Sequence, residues 1–288
     1  MNQKMYFNVA SAKEATQLIS IQNGSLSSHP RDLPLRLAAP LLAWLLSAGM
    51  SQAVAQDLTR TVVRIKPSVI GVGTMLKTRQ PAVVFVGTGF AVGDGLSIIT
   101  NAHVIPDKLD AGRTEELGIV TGSGADSVSF RPARLVGLDR EHDLAHLRLS
   151  GTPLAPLALA EEGAVAEGQD LAFTGYPLGM RLGLHAATHR ALLAAITPVV
   201  RPSLSSRQLD ARAITQLQRR PFAIYQLDGT AYPGNSGSPL YDPASGAVVG
   251  VINMVFLKGL KESAVTNPSG ITYAIPVRHV RELLQRSQ

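Results

Sequence analysis

The sequence contains no cysteine, and that absence removes three kinds of chemistry at once. There can be no disulfide staple, no thiolate nucleophile and no thiolate metal ligand. It does not fix the compartment, because a chain of 288 residues can bury enough core to hold an exported domain without bridges. Aromatic residues are scarce, at 5% with one tryptophan, and nowhere do they interleave with a basic stripe of the kind a nucleic-acid groove needs. Nucleic acid is therefore not an expected partner, despite a formal net charge of +6. Part of that charge sits in the first 55 residues, where Lys4, Lys13, Arg31 and Arg36 are opposed only by Glu14 and Asp32. The densest basic cluster, Arg201, Arg207, Arg212, Arg219 and Arg220, lies in a Ser- and Gln-rich stretch. It reads as a solvated surface loop, with an electrostatic partner contact as the alternative.

A membrane-spanning apolar run is also missing. Leu37 to Met50 follows Arg31 and Arg36 but is shorter than the roughly 20 residues that cross a hydrocarbon core. Ala53-Val54-Ala55 then supplies a small-residue cleavage site, so the segment reads as a secretory signal peptide cleaved after Ala55. That predicts an exported protein, periplasmic or secreted. An uncleaved anchor is the alternative, and only then would a membrane be a partner. Met1 to Pro30 precede the charged lead without strong periodicity, either as an overlong start or as an extension. Residues 1–55 are thus read as N-terminal extension and signal peptide, and 56–288 as the folded domain.

What is present points to a β-rich core. Apolar residues make up 45% and charged residues 17%, while 26 glycines and 18 prolines are scattered along the chain. Such spacing suits many short elements joined by turns, as in sandwiches and barrels. Asp57 to Lys66 is predicted as a short helix or a leading strand, and Ser68 to Met75 as the first β-rich stretch. Ala82–Val92 and Leu96–Thr100 flank Gly93-Asp94-Gly95, a turn whose glycines favour a hairpin. His103 follows at once, where a strand end could present it as a general base.

Further on, Ala145, Leu147 and Leu149 alternate with His146 and Arg148, the pattern of a strand with one buried face. Asp143 begins it. His142 and His146 also have a zinc-like spacing. On a helix they would share a face, whereas on a strand four residues span about 13 Å, and the glutamate of H-E-x-x-H is absent. No metal or cofactor is expected. Then comes Gly234-Asn235-Ser236-Gly237-Ser238-Pro239. A hydroxyl needs a base to become a nucleophile, and the tetrahedral oxygen it creates needs amide donors. A glycine-rich turn can supply those donors, so Gly234, Asn235 and Ser236 form the expected oxyanion hole, with the amides of Gly234 and Ser236 aimed inward.

These phrases resemble a known family. Gly87 to Ile105 is similar to the stretch around the catalytic histidine of HtrA-like and other trypsin-like bacterial proteases. Asp139 and Asp143 match both aspartates of their D-x-x-x-D-L-A phrase, and Gln226 and Asp228 precede Ser236 as in their Q-x-D and G-N-S-G phrases. Phe173 to Met180 and Gly270 to Pro276 resemble two further motifs, so the likeness runs from about residue 58 to the end. It implies an all-β, chymotrypsin-like fold of two antiparallel six-stranded β-barrels with a short C-terminal helix, in which Val277, Val280 and Leu284 share a face. His103, Asp143 and Ser236 would form a catalytic triad in the chain order of that fold. Thr230, Asn253, Met254 and Val255 would line the substrate pocket and favour medium apolar side chains. Ser238 also occurs in glutamyl endopeptidases, but Ile252, Asn253 and Met254 stand where those carry a histidine, so acidic specificity is not expected. Protein or peptide substrates are implied, and a homo-oligomer, a trimer in many relatives, is allowed. No room is expected for a PDZ domain, and residues 199–222, matching nothing in the family, are read as a regulatory loop. The rival reading is a proteolytically inactive binding or chaperone-like protein on the same scaffold.

Overall fold

The computed structural model describes residues 58–122, 128–198, 222–253 and 270–287. The signal-like segment, the arginine cluster at 201–220, Met254 and Val255 lie outside them. Residues 58–65 form a helix, α1, which settles the choice between helix and leading strand; Pro67 ends it, and a single 3-10 turn leads into the first strand.

Six strands follow in the first half: β1 (Val69–Met75), β2 (Val83–Val92), β3 (Ser97–Thr100), β4 (Glu116–Thr121), β5 (Ser129–Asp139) and β6 (Leu144–Leu149). They close a barrel in the order β1-β2-β3-β6-β5-β4, every pair antiparallel. The second half repeats the plan with β7 (Asp170–Gly175), β8 (Ala187–Pro198), β9 (Ala223–Asp228), β10 (Pro239–Tyr241), β11 (Val248–Asn253) and β12 (Ile271–Pro276). These close in the order β10-β11-β12-β9-β8-β7. Closure leaves these twelve strands no sheet edge to pair with another chain. Helix α2 (Val277–Arg286) ends the fold and packs on β5 and β6 of the first barrel as well as on β11 and β12 of the second.

Three apolar layers hold this together. Ile70, Val72, Ile98, Ile119 and Leu147 fill the first barrel; Leu171, Phe173, Leu193, Leu227 and Ile252 fill the second. Between them, Phe90, Val92, Ile99, Leu144, Tyr241 and Val251 join Val277, Val280 and Leu283 of α2. Burying such side chains is worth roughly 1.5–3 kcal/mol each, so this middle layer fixes the barrels against each other. Leu284 of α2 packs half-buried on the same layer as Val277 and Val280, as expected, while Leu283 is buried more completely and His279 is buried beside it. His146 is also buried, at 4% exposure, although alternation placed it on the solvent face. It shares that face with Leu144, which lies in the layer beneath α2. A two-residue period cannot reveal that a distant helix covers the outer face.

Candidate active site

The first barrel supplies a histidine and an aspartate from neighbouring strand ends. Beyond β3 the chain makes one 3-10 turn, Ala102–Val104, with Asn101 extended before it. That turn is tied to residue 143 by three bonds: Ala102 N and Asn101 Nδ2 each donate to the Asp143 carbonyl at 3.0 Å, and His103 N donates to Asp143 Oδ1 at 2.8 Å. Asp143 itself has φ +53°, a left-handed conformation that aspartate enters more readily than most residues. Its other oxygen, Oδ2, lies 2.6 Å from His103 Nδ1. An ionised carboxylate only accepts, so Nδ1 carries the proton and Nε2 is left with its lone pair.

That lone pair faces the second barrel. Ser236 Oγ stands 2.9 Å from His103 Nε2, in reach for proton transfer. Ser236 sits in the turn between β9 and β10, where backbone replaces side chains as the fastener. Thr88 N donates to the Ser236 carbonyl at 2.8 Å, Gly237 N to Ile252 O, and Ser238 N to Asn235 O. Gly237 has φ +86°, and a Cβ there would lie 2.0 Å from the Thr88 carbonyl; Gly234 has φ +102°, and its Cβ would lie 2.2 Å from the Tyr176 carbonyl. Only glycine fits both the dihedral and the space.

The amides of Gly234 and Ser236 meet no acceptor among the described residues, which leaves them available to an incoming oxygen. Asn235 departs from the expectation: its amide already donates to the Tyr232 carbonyl at 2.9 Å, so it is not a third donor. Asn253 departs further. It was expected in the pocket wall, yet it is fully buried and its Nδ2 donates to Asp143 Oδ2 at 2.7 Å. The carboxylate of Asp143 therefore accepts from His103 N, His103 Nδ1 and Asn253 Nδ2. Thr230 is half-buried in the segment leading to Ser236.

Thr88 was not singled out in the sequence, although it stands in the Gly87-Thr88-Gly89-Phe90 phrase. Its hydroxyl donates to the Gly234 carbonyl at 2.6 Å and accepts from Tyr176 N at 3.1 Å, so one first-barrel residue pins two turns of the second. The signal was a small polar residue between two glycines on an otherwise apolar strand.

The histidines at 142 and 146 do not converge. His146 is buried in β6 with neither ring nitrogen bonded among the described residues, and burial pushes its pKa down. His142 instead meets His279 and Glu282, whose ligand atoms lie within 4.8 Å of one another. The two imidazoles are stacked, with centroids 3.7 Å apart and planes within 15°. Ring lone pairs lie in the ring planes, so two stacked rings do not point at one ion, and Arg278 adds a positive charge at His279 Nε2.

A histidine held by a carboxylate against a serine hydroxyl, between two six-stranded antiparallel barrels, defines a trypsin-like architecture. The trypsin-like peptidase domain profile matches residues 87–251, and the chain belongs to that family. Among curated proteins, it is 29% identical over 208 residues to "Serine protease HTRA2, mitochondrial" of Drosophila grimshawi and of Drosophila virilis. Each match covers 72% of this chain and 40% and 41% of the relatives, so it spans about two fifths of their length. Among solved structures, the fold is similar to the active form of the Rv3671c protease from M. tuberculosis, with TM-score 0.57, 22% identity, and coverage of 79% of this chain and 83% of that one. The serine endoprotease from Yersinia pestis gives TM-score 0.54 and 22% identity, covering 80% and 65%.

Proposed function

We propose that this chain is a serine endopeptidase acting on protein or peptide substrates, with His103, Asp143 and Ser236 as its catalytic residues. The observation that carries the reading is one imidazole bridging a carboxylate at 2.6 Å and a serine hydroxyl at 2.9 Å. In the reaction, Ser236 Oγ attacks the substrate carbonyl while His103 Nε2 takes its proton. The carbonyl π electrons move to oxygen, and the amides of Gly234 and Ser236 receive that oxyanion. Collapse expels the amine, which leaves with the proton from His103, and an acyl-enzyme remains. Water, deprotonated by His103, then releases the acid and restores Ser236. Asp143 holds the ring in the correct tautomer and stabilises the imidazolium, and Asn253 steadies Asp143.

We also propose export by the leader at 31–55, with Gln56 as the first mature residue; N-terminal sequencing of secreted protein tests that. The activity is tested with fluorescently labelled casein. The chain is expected to cleave it and Ser236→Ala to abolish cleavage. Equal turnover by both would contradict the assignment, and no turnover by either would favour the inactive-scaffold reading.

A further inference from the structure

Asp143 occupies a left-handed backbone conformation at the end of a four-residue turn, and that turn is held from outside the site. Asp139 caps it: Oδ1 accepts from the amides of Glu141 and His142 at 3.1 and 3.0 Å, and Oδ2 accepts from His142 Nδ1 at 2.9 Å. The same Oδ2 accepts from Arg286 Nη2 of α2 at 2.6 Å. The exposed face of the His142 ring is then covered by His279 of α2, stacked at 3.7 Å, with Phe222 edge-on to both rings. The C-terminal helix thus grips the turn that carries Asp143 at two points, an ion pair and an imidazole stack.

Resting on the endopeptidase reading, we infer that His279 is a positioning residue: stacked on His142 it holds the 139–143 turn, and with it Asp143, and the hold fails when the His279 ring takes up a proton. Among the described residues, the charged groups facing the pair are these. Asp139 and Arg286 lie on the His142 side; Glu282 Oε2 is 3.1 Å from His279 Nδ1, Arg278 Nε donates to His279 Nε2 at 3.2 Å, and Glu162 stands 3.7 Å from Arg278. Burial first, and then the charge of His142, push the His279 pKa down; Glu282 opposes them and Arg278 reinforces them. A docked histidine with a lowered pKa favours docking while it is neutral. That contribution is complete above the undocked value near ~6.5 and is lost as pH falls through the docked value.

The test uses the full chain, labelled casein, and pH 4.5 to 8. A single ionisation lowers kcat/KM about tenfold per pH unit on the acid side. The expected result is a steeper limb, approaching a hundredfold per unit, because His279 must be neutral as well. His279→Phe keeps an aromatic stack without the proton and is expected to return the limb to tenfold. Glu282→Gln alters an exposed carboxylate and is expected to move the steep part to lower pH. Hydrogen exchange of residues 277–286, corrected for intrinsic rates, is expected to accelerate on acidification in the unaltered chain and not in His279→Phe. If casein is cleaved and the three limbs coincide, the positioning role is overturned while the endopeptidase reading stands. If no cleavage occurs at any pH, the endopeptidase reading fails, and helix exchange alone decides whether the stack is acid-labile.

Discussion

Two aspartate–histidine pairs stand side by side on one turn of the first barrel. Asp139 bonds His142 Nδ1 at 2.9 Å, and Asp143 bonds His103 Nδ1 at 2.6 Å. In both, the carboxylate also accepts from backbone, two amides for Asp139 and one for Asp143, and from a donor in the other half of the molecule, Arg286 for Asp139 and Asn253 for Asp143. What separates them is the far side of the ring. His103 presents Nε2 to a serine hydroxyl, whereas His142 is closed off by His279 and Phe222. A charge-oriented imidazole is therefore not a catalyst by itself; what surrounds the rest of the ring decides.

Replacing each carboxylate in turn is the hardest test of that contrast. Asp143→Asn is expected to lower kcat about 10⁴-fold, since an amide can stabilise the wrong tautomer, with KM little changed in steady-state assays. Asp139→Asn is expected to act chiefly on stability, and on kcat far less than Asp143→Asn, through a looser turn. The bonds from His142 and Arg286 outweigh burial and hold the Asp139 carboxyl at about 2. Such a depression contributes roughly 2 kcal/mol, present above the unfolded value of ~3.9 and lost as pH falls toward about 2. A urea midpoint measured at pH 7 and pH 3 should show the gap between the parent and Asp139→Asn closing on acidification. A large loss of kcat with unchanged stability in Asp139→Asn would erase the distinction between the pairs.

Asn253→Ala sharpens the comparison from the second barrel. Removing one donor from Asp143 costs about 1.5 kcal/mol, expected as a tenfold fall in kcat with KM retained. The smallest expected effect is at His146, where burial disfavours the charged ring in the fold while an unfolded histidine takes up a proton below ~6.5. Stability drains away as pH falls through that range, and His146→Leu should narrow the difference in Tm between pH 7.5 and pH 5.5. His189 and His279, which burial also pushes down, contribute in the same direction.

The nucleophile turn, the histidine phrase and the aspartate phrase were legible in the sequence because each is a local pattern: glycines where only glycine fits, and a polar residue ending an apolar strand. The two barrels were legible through the same motifs. The parts that escaped are set by partners far along the chain. Asn253 reaches Asp143 across 110 positions, and nothing in the β11 sequence distinguishes an amide aimed at a carboxylate from one in a pocket wall. The stack of His142 on His279 depends on where α2 docks, and so does the burial of His146. Asn235 belongs to the expected oxyanion-hole phrase, but its own amide closes the turn onto the Tyr232 carbonyl, a bond that the residue types around it do not announce.

The most direct measurement is covalent. The folded chain is treated with a fluorophosphonate at pH 8, and the adduct is counted by intact mass and located by peptide mapping. One adduct on Ser236 is expected, absent from Ser236→Ala and strongly slowed in His103→Ala. A folded chain that takes up no label, or takes it up at another residue, would contradict the proposed mechanism.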